Sequence, residues 1–298
     1  MCSPEQVPNV GVSCKASLDY LPNKVRKVTM FNSHSLAVGD YYDQVNDLVR
    51  AMFTDNIHYG YWEDPSTLDS LAEAGERMTE QLFARLDVNA RHKVLDVGCG
   101  VGKPTAWLAR KTGATVKGIN VSRIQLEVAD AHVRSEGLQD QVSFEVADAM
   151  HLPYPDDSFD RVWAIESMIH MPDRAQVMSE MARVLRPGGR LAIADIVVRG
   201  TLDDEEKSVA ERFCVLSSAQ SMEYIENYPA LVKAAGLDLV ELADVSEQTR
   251  PTGAVVLPSF DVLLPALGED GVAEAKRNWI GMFDMPQYGY VLLSARKS

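Results

Sequence analysis

The spacing of apolar residues along this chain changes character near residue 93. From there to about 199, apolar runs of strand length at 93–97, 115–119, 142–146, 159–165 and 190–198 alternate with stretches at 103–112, 122–136 and 173–185 that read as helices. Strands and helices alternating at this interval predict parallel βαβ units, with helices covering the faces of an open sheet. Pro187-Gly188-Gly189 marks the stop between the third helix and the fifth strand. Two later runs, 237–246 and 288–296, predict strands that bring the sheet to seven, and residues 200–236 and 249–287 read as helical insertions around them. The fold class is therefore α/β.

Four segments follow from this pattern: an N-terminal extension over 1–37, a helical lid over 38–90, a core over 91–199, and the remaining strands with their cap insertions over 200–298. The extension has no strong period and carries Pro4, Pro8 and Pro22, so its first dozen residues are expected to be disordered. Further on, Leu18, Leu21, Val25 and Val28 recur at spacings of three, four and three, which gives one apolar face if the segment is helical. Such a face must be buried on its own subunit or on a neighbour, and a homo-oligomer using this extension is the expectation. The lid holds a dense aromatic cluster, Tyr41, Tyr42, Phe53, His58, Tyr59, Tyr61 and Trp62, in a chain only 7% aromatic. Aromatics so grouped pack ordinary cores, and they also line apolar ligand pockets with a few polar handles; Tyr42, His58, Tyr59 and Trp62 are the candidates for substrate contact.

The first strand of the core runs into a glycine-rich turn, Asp96-Val97-Gly98-Cys99-Gly100-Val101-Gly102-Lys103. Glycine lets a backbone turn sharply and approach a ligand without Cβ interference. A phosphate-binding P-loop needs four residues between its glycines and Ser or Thr after the lysine, whereas three residues separate Gly98 from Gly102 and Pro104 follows Lys103. The dinucleotide fingerprint needs a sixth-position glycine where this chain has Lys103, which leaves a nicotinamide oxidoreductase as a weak alternative. An ordinary tight turn between strand and helix is the bland alternative.

Charge and cysteine usage narrow the partners. The 43 Asp and Glu against 29 Lys and Arg give a net charge of -14, which repels nucleic-acid phosphates and anionic lipid surfaces. The partner expected is an apolar small molecule, with neither nucleic acid nor membrane. Cys2, Cys14, Cys99 and Cys214 lack CxxC spacing, so neither a disulfide framework nor a metal site is suggested. With no basic n-region or apolar h-region at the N-terminus and no uncharged run of roughly 18 residues, a cytoplasmic protein is expected.

Asp before G-x-G-x-G resembles motif I of the class I S-adenosylmethionine (SAM)-dependent methyltransferases, and motifs of that family follow in order. After the second strand, Gly118-Ile119-Asn120-Val121-Ser122-Arg123-Ile124-Gln125 resembles the tocopherol, sterol and cyclopropane branch, although Asn120 stands where many members hold both ribose hydroxyls with Asp or Glu. After the third, Ala147-Asp148-Ala149 resembles the segment that reads the adenine. The run Glu166-Ser167-Met168-Ile169-His170-Met171-Pro172-Asp173, with Ile57 to Trp62 and Tyr288 to Arg296, is similar to small-molecule methyltransferases of bacterial natural-product pathways, which modify sugars, polyketides, indole alkaloids and terpenoid chains. The resemblance covers about Tyr41 to Arg296.

It implies a Rossmann-like fold with a helical cap and a cofactor site of Asp96, Gly98, Gly100, Gly102, Asn120, Gln125, Asp148, Ala149 and Ile165, holding SAM and its product S-adenosylhomocysteine (SAH). It also implies a catalytic pair in which Asp195 orients His170 as general base, with Glu166 stabilising positive charge or binding the methionine amine. No metal is required. Both O-methylation and C-methylation occur with these motifs; in the second case His170 or a tyrosine deprotonates a cation that can cyclise. A binding or assembly module retaining the fold without catalysis is the rival from another class.

Overall fold

Five parallel strands form the centre of the sheet; those buried on both faces read as nearly continuous apolar runs, whereas the edge strand over Val142–Val146 is mostly exposed. The computed structural model describes residues 12–13, 35–53, 56–67 and 69–298. In it β2 (Lys93–Val97), β3 (Thr115–Asn120), β4 (Val142–Val146), β5 (Phe159–Ile165) and β6 (Leu185–Val198) lie in the order β4-β3-β2-β5-β6. The antiparallel β9 (Tyr288–Lys297) pairs with β6 and also with β8 (Leu237–Asp244), completing the seven expected strands. Two short strands exceed the expectation: β7 (Ser221–Tyr224) pairs with the end of β6, and β1 (Val12–Ser13) pairs antiparallel with β7. A four-residue strand inside a helical insertion leaves little periodic signal. The apolar stretch from Leu18 to Val28 lies outside the described residues.

Helices α1 (Ser35–Phe53) and α2 (Leu71–Leu86) precede the core, and α3 (Lys103–Thr112), α4 (Arg123–Ser135) and α5 (Arg174–Val184) connect its strands. Local chemistry starts them where they start. A capping box of Ser70 and Glu73 opens α2, Ser122 caps α4 through Gln125 N, and Asp173 caps α5 through Gln176 N. After β6 come α6 (Asp204–Ser217), α7 (Tyr228–Ala234), α8 (Ser246–Thr249), α9 (Thr252–Val256) and α10 (Leu264–Asp284). By length and composition alone, the stretch Ser246–Asp284 is apolar enough to cross a membrane. Its backbone is divided into the short α8 and α9, a 3-10 stretch over Leu257–Leu263, and α10, itself broken at Gly268 (φ 69°); the buried Trp279 of α10 donates to the Gly253 carbonyl of α9.

Two apolar layers sandwich the sheet, and β6 shows how they are divided. Ala192, Ala194, Ile196 and Val198 join the layer holding Met78 and Trp279, whereas Leu191, Ile193 and Val197 join the layer holding Val177 and Tyr228. Successive side chains of a strand point to opposite faces, so the parity of a residue number on β6 decides which layer it enters. Because β3 and β5 flank β2 on opposite sides, the strand order reverses there, and the loops leaving β2 and β5 face each other across a switch point. Of the described cysteines, Cys99 is free and buried, but Cys214 is disulfide-bonded, a bridge that the scattered cysteine spacing did not suggest.

Candidate active site

Two cavities meet at the switch point. A narrow cleft follows the carboxyl ends of β2, β3, β4 and β5, and its walls include Gly98, Gly100, Asn120, Gln125, Asp148, Ala149 and Ile165, seven of the nine residues expected to hold the cofactor. A larger, mostly apolar cavity of about 410 Å³ opens beside it under α1, α6 and the region of α10. Tyr42, Ile57, Glu166 and His170 border both. A group reaching from one cavity to the other therefore passes these four side chains.

The glycines of the turn divide their labour. Gly100 has φ +55° and nothing within 4 Å of where a Cβ would stand, so the space beside it belongs to the cleft. Gly98 (φ +77°) also borders the cleft, yet its Cβ would lie 2.3 Å from the Ser167 Cβ; here glycine lets the β2 and β5 loops press together. Gly102 does not line the cleft. A Cβ there would meet Ala129 and Phe144 at 2.8 Å, so it is a packing glycine at the start of α3. Asp96 is also set back from the cleft: it is buried and accepts a 2.5 Å hydrogen bond from Thr105 Oγ1, which ties β2 to α3. Both expected cofactor contacts are thus corrected to supporting roles, because the turn recedes from the cleft on either side of Gly98 to Gly100.

At the end of β3, Asn120 Nδ2 donates to Gln125 Oε1 at 2.7 Å, and Asn120 Oδ1 accepts from Val121 N at 2.8 Å. The two side chains brace one another along the wall of the cleft. Asp148 Oδ1 accepts from Met150 N, so the aspartate shapes the turn that presents Ala147 and Ala149. This donor set suits SAM: an open glycine corner, amide side chains after β3 and a carboxylate after β4 line one continuous cleft. Replacing Gly100 by leucine is expected to weaken SAH binding more than about 100-fold by titration calorimetry, since a left-handed backbone and an inserted side chain act together. Affinity within threefold of wild type would place the ligand elsewhere.

At the junction, Glu166 follows the last residue of β5 with a left-handed backbone (φ 48°), a costly conformation for a residue with a Cβ. Its Oε1 accepts from Tyr59 N at 2.6 Å and from the Tyr290 hydroxyl at 2.7 Å. Burial pushes this carboxyl up to about 8. His170 donates or accepts at both ring nitrogens: Nδ1 lies 3.1 Å from the Ser218 carbonyl and Nε2 2.9 Å from the Tyr42 hydroxyl. A carbonyl only accepts, so the proton sits on Nδ1 and Nε2 presents its lone pair. Burial lowers the His170 pKa to about 4, which keeps the ring neutral.

Asp195 does not orient His170. It occupies the odd-numbered face of β6, turned into the layer below the sheet, while its neighbour Ile196 lines the apolar cavity. There Asp195 accepts from the Tyr228 hydroxyl and lies 3.7 Å from Arg174 Nε, with both side chains of the ion pair buried. The dyad fails on strand parity, and the Ser218 carbonyl takes the role assigned to the aspartate.

The aromatic cluster also splits. Tyr42 and Tyr59 line the large cavity, and the buried Tyr59 hydroxyl has no hydrogen-bond partner among the described residues. His58 and Trp62 line neither cavity. His58 is buried with Nδ1 on the Tyr59 carbonyl, and its pKa is lowered to about 4 by desolvation. Trp62 is fully buried in the core, and its backbone N–H donates to the Gln248 carbonyl. These two are corrected from substrate contacts to packing residues that fix the connector between α1 and α2. Sequence reasoning missed Val38 and Ser218, which carry no motif and reach the site only through tertiary packing, and it quoted Ile57 within a family-like run without assigning it to the site.

A family model described as a methyltransferase domain matches residues 95–193. The chain is 77% identical over 269 residues to methyltransferase GfsG of Streptomyces halstedii, covering 90% of this chain and 97% of that protein. It is 39% identical to the 27-O-demethylrifamycin SV methyltransferase of Amycolatopsis mediterranei, over 87% and 96% of the two chains. Of solved structures, the [4+2]-cyclase SpnF superposes with a TM-score of 0.76 at 31% identity, covering 88% of this chain and 96% of that one. With the cleft at the switch point, the open glycine corner and full-length relatives of this identity, the chain belongs to the class I SAM-dependent methyltransferases, on the branch that methylates small molecules in natural-product biosynthesis.

Proposed function

We propose that this enzyme methylates a hydroxyl oxygen of a large, apolar natural product, with His170 Nε2 as the proton acceptor. The observation that carries this reading is the neutral His170, its lone pair turned to the border between the cofactor cleft and a cavity of about 410 Å³ lined mainly by apolar side chains. Bound in the cleft, SAM supplies an activated methyl group. The protein's own tasks are to place the acceptor in line, exclude water and take a proton.

When the acceptor oxygen bonds to the methyl carbon and the carbon–sulfur bond breaks, the oxygen of a neutral hydroxyl becomes a strongly acidic protonated ether. A base of low pKa is then sufficient, and a ring that stays neutral at physiological pH is always in its accepting form. The Tyr42 hydroxyl occupies Nε2 in the resting protein; an acceptor hydroxyl that takes its place, or bonds to its oxygen, gives the proton to the imidazole. The Tyr59 hydroxyl, without a partner among the described residues, offers a second polar contact to an acceptor that carries more than one oxygen. The A. mediterranei relative, whose name specifies an O-methylation, supports oxygen over carbon.

The likeness to the [4+2]-cyclase favours one other reading, in which the same cavity folds a reactive chain without methyl transfer. Incubation of the enzyme with methyl-labelled SAM and candidate hydrophobic polyols, read by mass spectrometry, separates the two. Incorporation of one labelled methyl on oxygen supports the proposal. A product isomeric with its substrate and free of label would replace it with cyclisation.

A further inference from the structure

Helix α1 roofs both cavities, and one face of it is fastened to the cofactor cleft. Gly39 and Asp43, four residues apart and so on the same side of the helix, meet the loop between β3 and α4. A Cβ at Gly39 would stand 2.7 Å from the Val121 carbonyl oxygen, so the helix approaches bare backbone at a distance only glycine allows. One turn on, Asp43 Oδ1 accepts from the Ser122 hydroxyl and, at 3.2 Å, from Ile124 N. Ser122 Oγ accepts in turn from Gln125 N, and Gln125 is braced by Asn120. Thus a carboxylate from α1 completes the N-terminal cap of α4, where a negative charge is favoured by the helix dipole.

The same helix carries Val38 and Tyr42 in the wall of the cleft, and Tyr41, Val45, Val49 and Met52 in the wall of the acceptor cavity. Moving α1 off the loop would open both cavities at once and draw Tyr42 away from His170.

We propose that Asp43, seated on the β3–α4 loop beside Gly39, is a positioning residue that couples the two sites: it holds the loop bearing Asn120 and Gln125 in its cofactor-binding form, and a bound cofactor holds α1 over the acceptor cavity. The inference rests on SAM occupying the cleft and is independent of which atom is methylated. Coupling of this kind is reciprocal, so loosening α1 must weaken the cofactor as much as the cofactor steadies α1.

The test uses the full chain and SAH as the probe, with no acceptor. Titration calorimetry is expected to show SAH affinity reduced about 10-fold or more in Asp43→Ala, the scale of losing hydrogen bonds to a charged group. Asp43→Asn, which keeps an accepting oxygen, is expected to recover most of that loss, and Gly39→Leu to reproduce it without touching the carboxylate. In hydrogen exchange, SAH is expected to protect amides of residues 35–53 in wild type and much less in Asp43→Ala. A role confined to folding would lower the melting temperature of the ligand-free variant while leaving SAH affinity within twofold and the protection of α1 intact, and either finding overturns the proposal. Failure of wild type to bind SAH at all would instead remove the cofactor assignment on which it stands.

Discussion

His170→Ala is expected to turn over about 10²- to 10⁴-fold more slowly than wild type while binding SAH with nearly unchanged affinity. The expectation follows from the geometry at both ring nitrogens. Nδ1 is committed to the Ser218 carbonyl and Nε2 to the Tyr42 hydroxyl, so the ring is held in one tautomer and one orientation at the border of the two cavities. Alanine removes the proton acceptor and frees the Tyr42 hydroxyl, but touches neither the glycine corner nor the Asn120–Gln125 pair. Single-turnover methyl transfer and calorimetry on the same preparation separate the two effects. Wild-type turnover in the alanine variant would leave alignment alone to account for catalysis.

The acid side of the pH profile adds a second check on the same residue. Since burial lowers the His170 pKa to about 4, the neutral, accepting form persists through the mildly acidic range, and the His170-dependent limb should fall only as pH approaches that value. A limb near 6.5, the ordinary histidine range, would mean that the ring is solvated during turnover. The raised Glu166 carboxyl, which titrates at about 8, moves the other way: it is mostly neutral at pH 7 and becomes anionic as the pH rises through that value.

Which parts of this site the sequence reveals depends on how local the signal is. Strand, tight turn and helix lie within a dozen residues at Asp96 to Lys103, and that compact pattern identifies both the switch point and the cleft. Within it, spacing alone does not tell a glycine that faces a ligand from one that faces a phenylalanine: Gly100 borders open space and Gly102 meets Phe144, and only the three-dimensional course of the turn separates them. His58 and Trp62 lie in an aromatic run whose spacing suits a pocket wall, yet the run is a connector pressed against α2, with Tyr61 N bonded to the Ala74 carbonyl. Asp43 was invisible for the converse reason. Its partners are 79 and 81 residues away, so nothing in its neighbourhood signals that it caps another helix.

Asp195→Ala is expected to destabilise the fold by about 3 kcal/mol or more while sparing the turnover of whatever protein remains folded. The sequence pairs this aspartate with His170, but its carboxylate lies on the opposite face of β6, where it accepts from the Tyr228 hydroxyl and faces the buried Arg174. Arg174 also donates to the Ser221 hydroxyl at 2.6 Å and to the Ser221 carbonyl at 2.8 Å, so the cluster ties the start of α5 to β6, β7 and α7. Alanine would leave the Arg174 guanidinium in a dry layer without its countercharge, and the Tyr228 hydroxyl without an acceptor; an uncompensated buried charge is among the most costly of single substitutions. The melting temperature should fall by about 5–10 °C. Asp195 itself is desolvated, and its pKa is raised to about 6, so its ionised form is tolerated mainly because Arg174 stands beside it. Removing both charges at once, as in Arg174→Met with Asp195→Leu, should therefore cost less than Asp195→Ala alone. Methyl transfer normalised to folded protein decides between the two roles: a value near wild type assigns Asp195 to the fold, whereas a loss matching that of His170→Ala at unchanged stability would restore the catalytic pair.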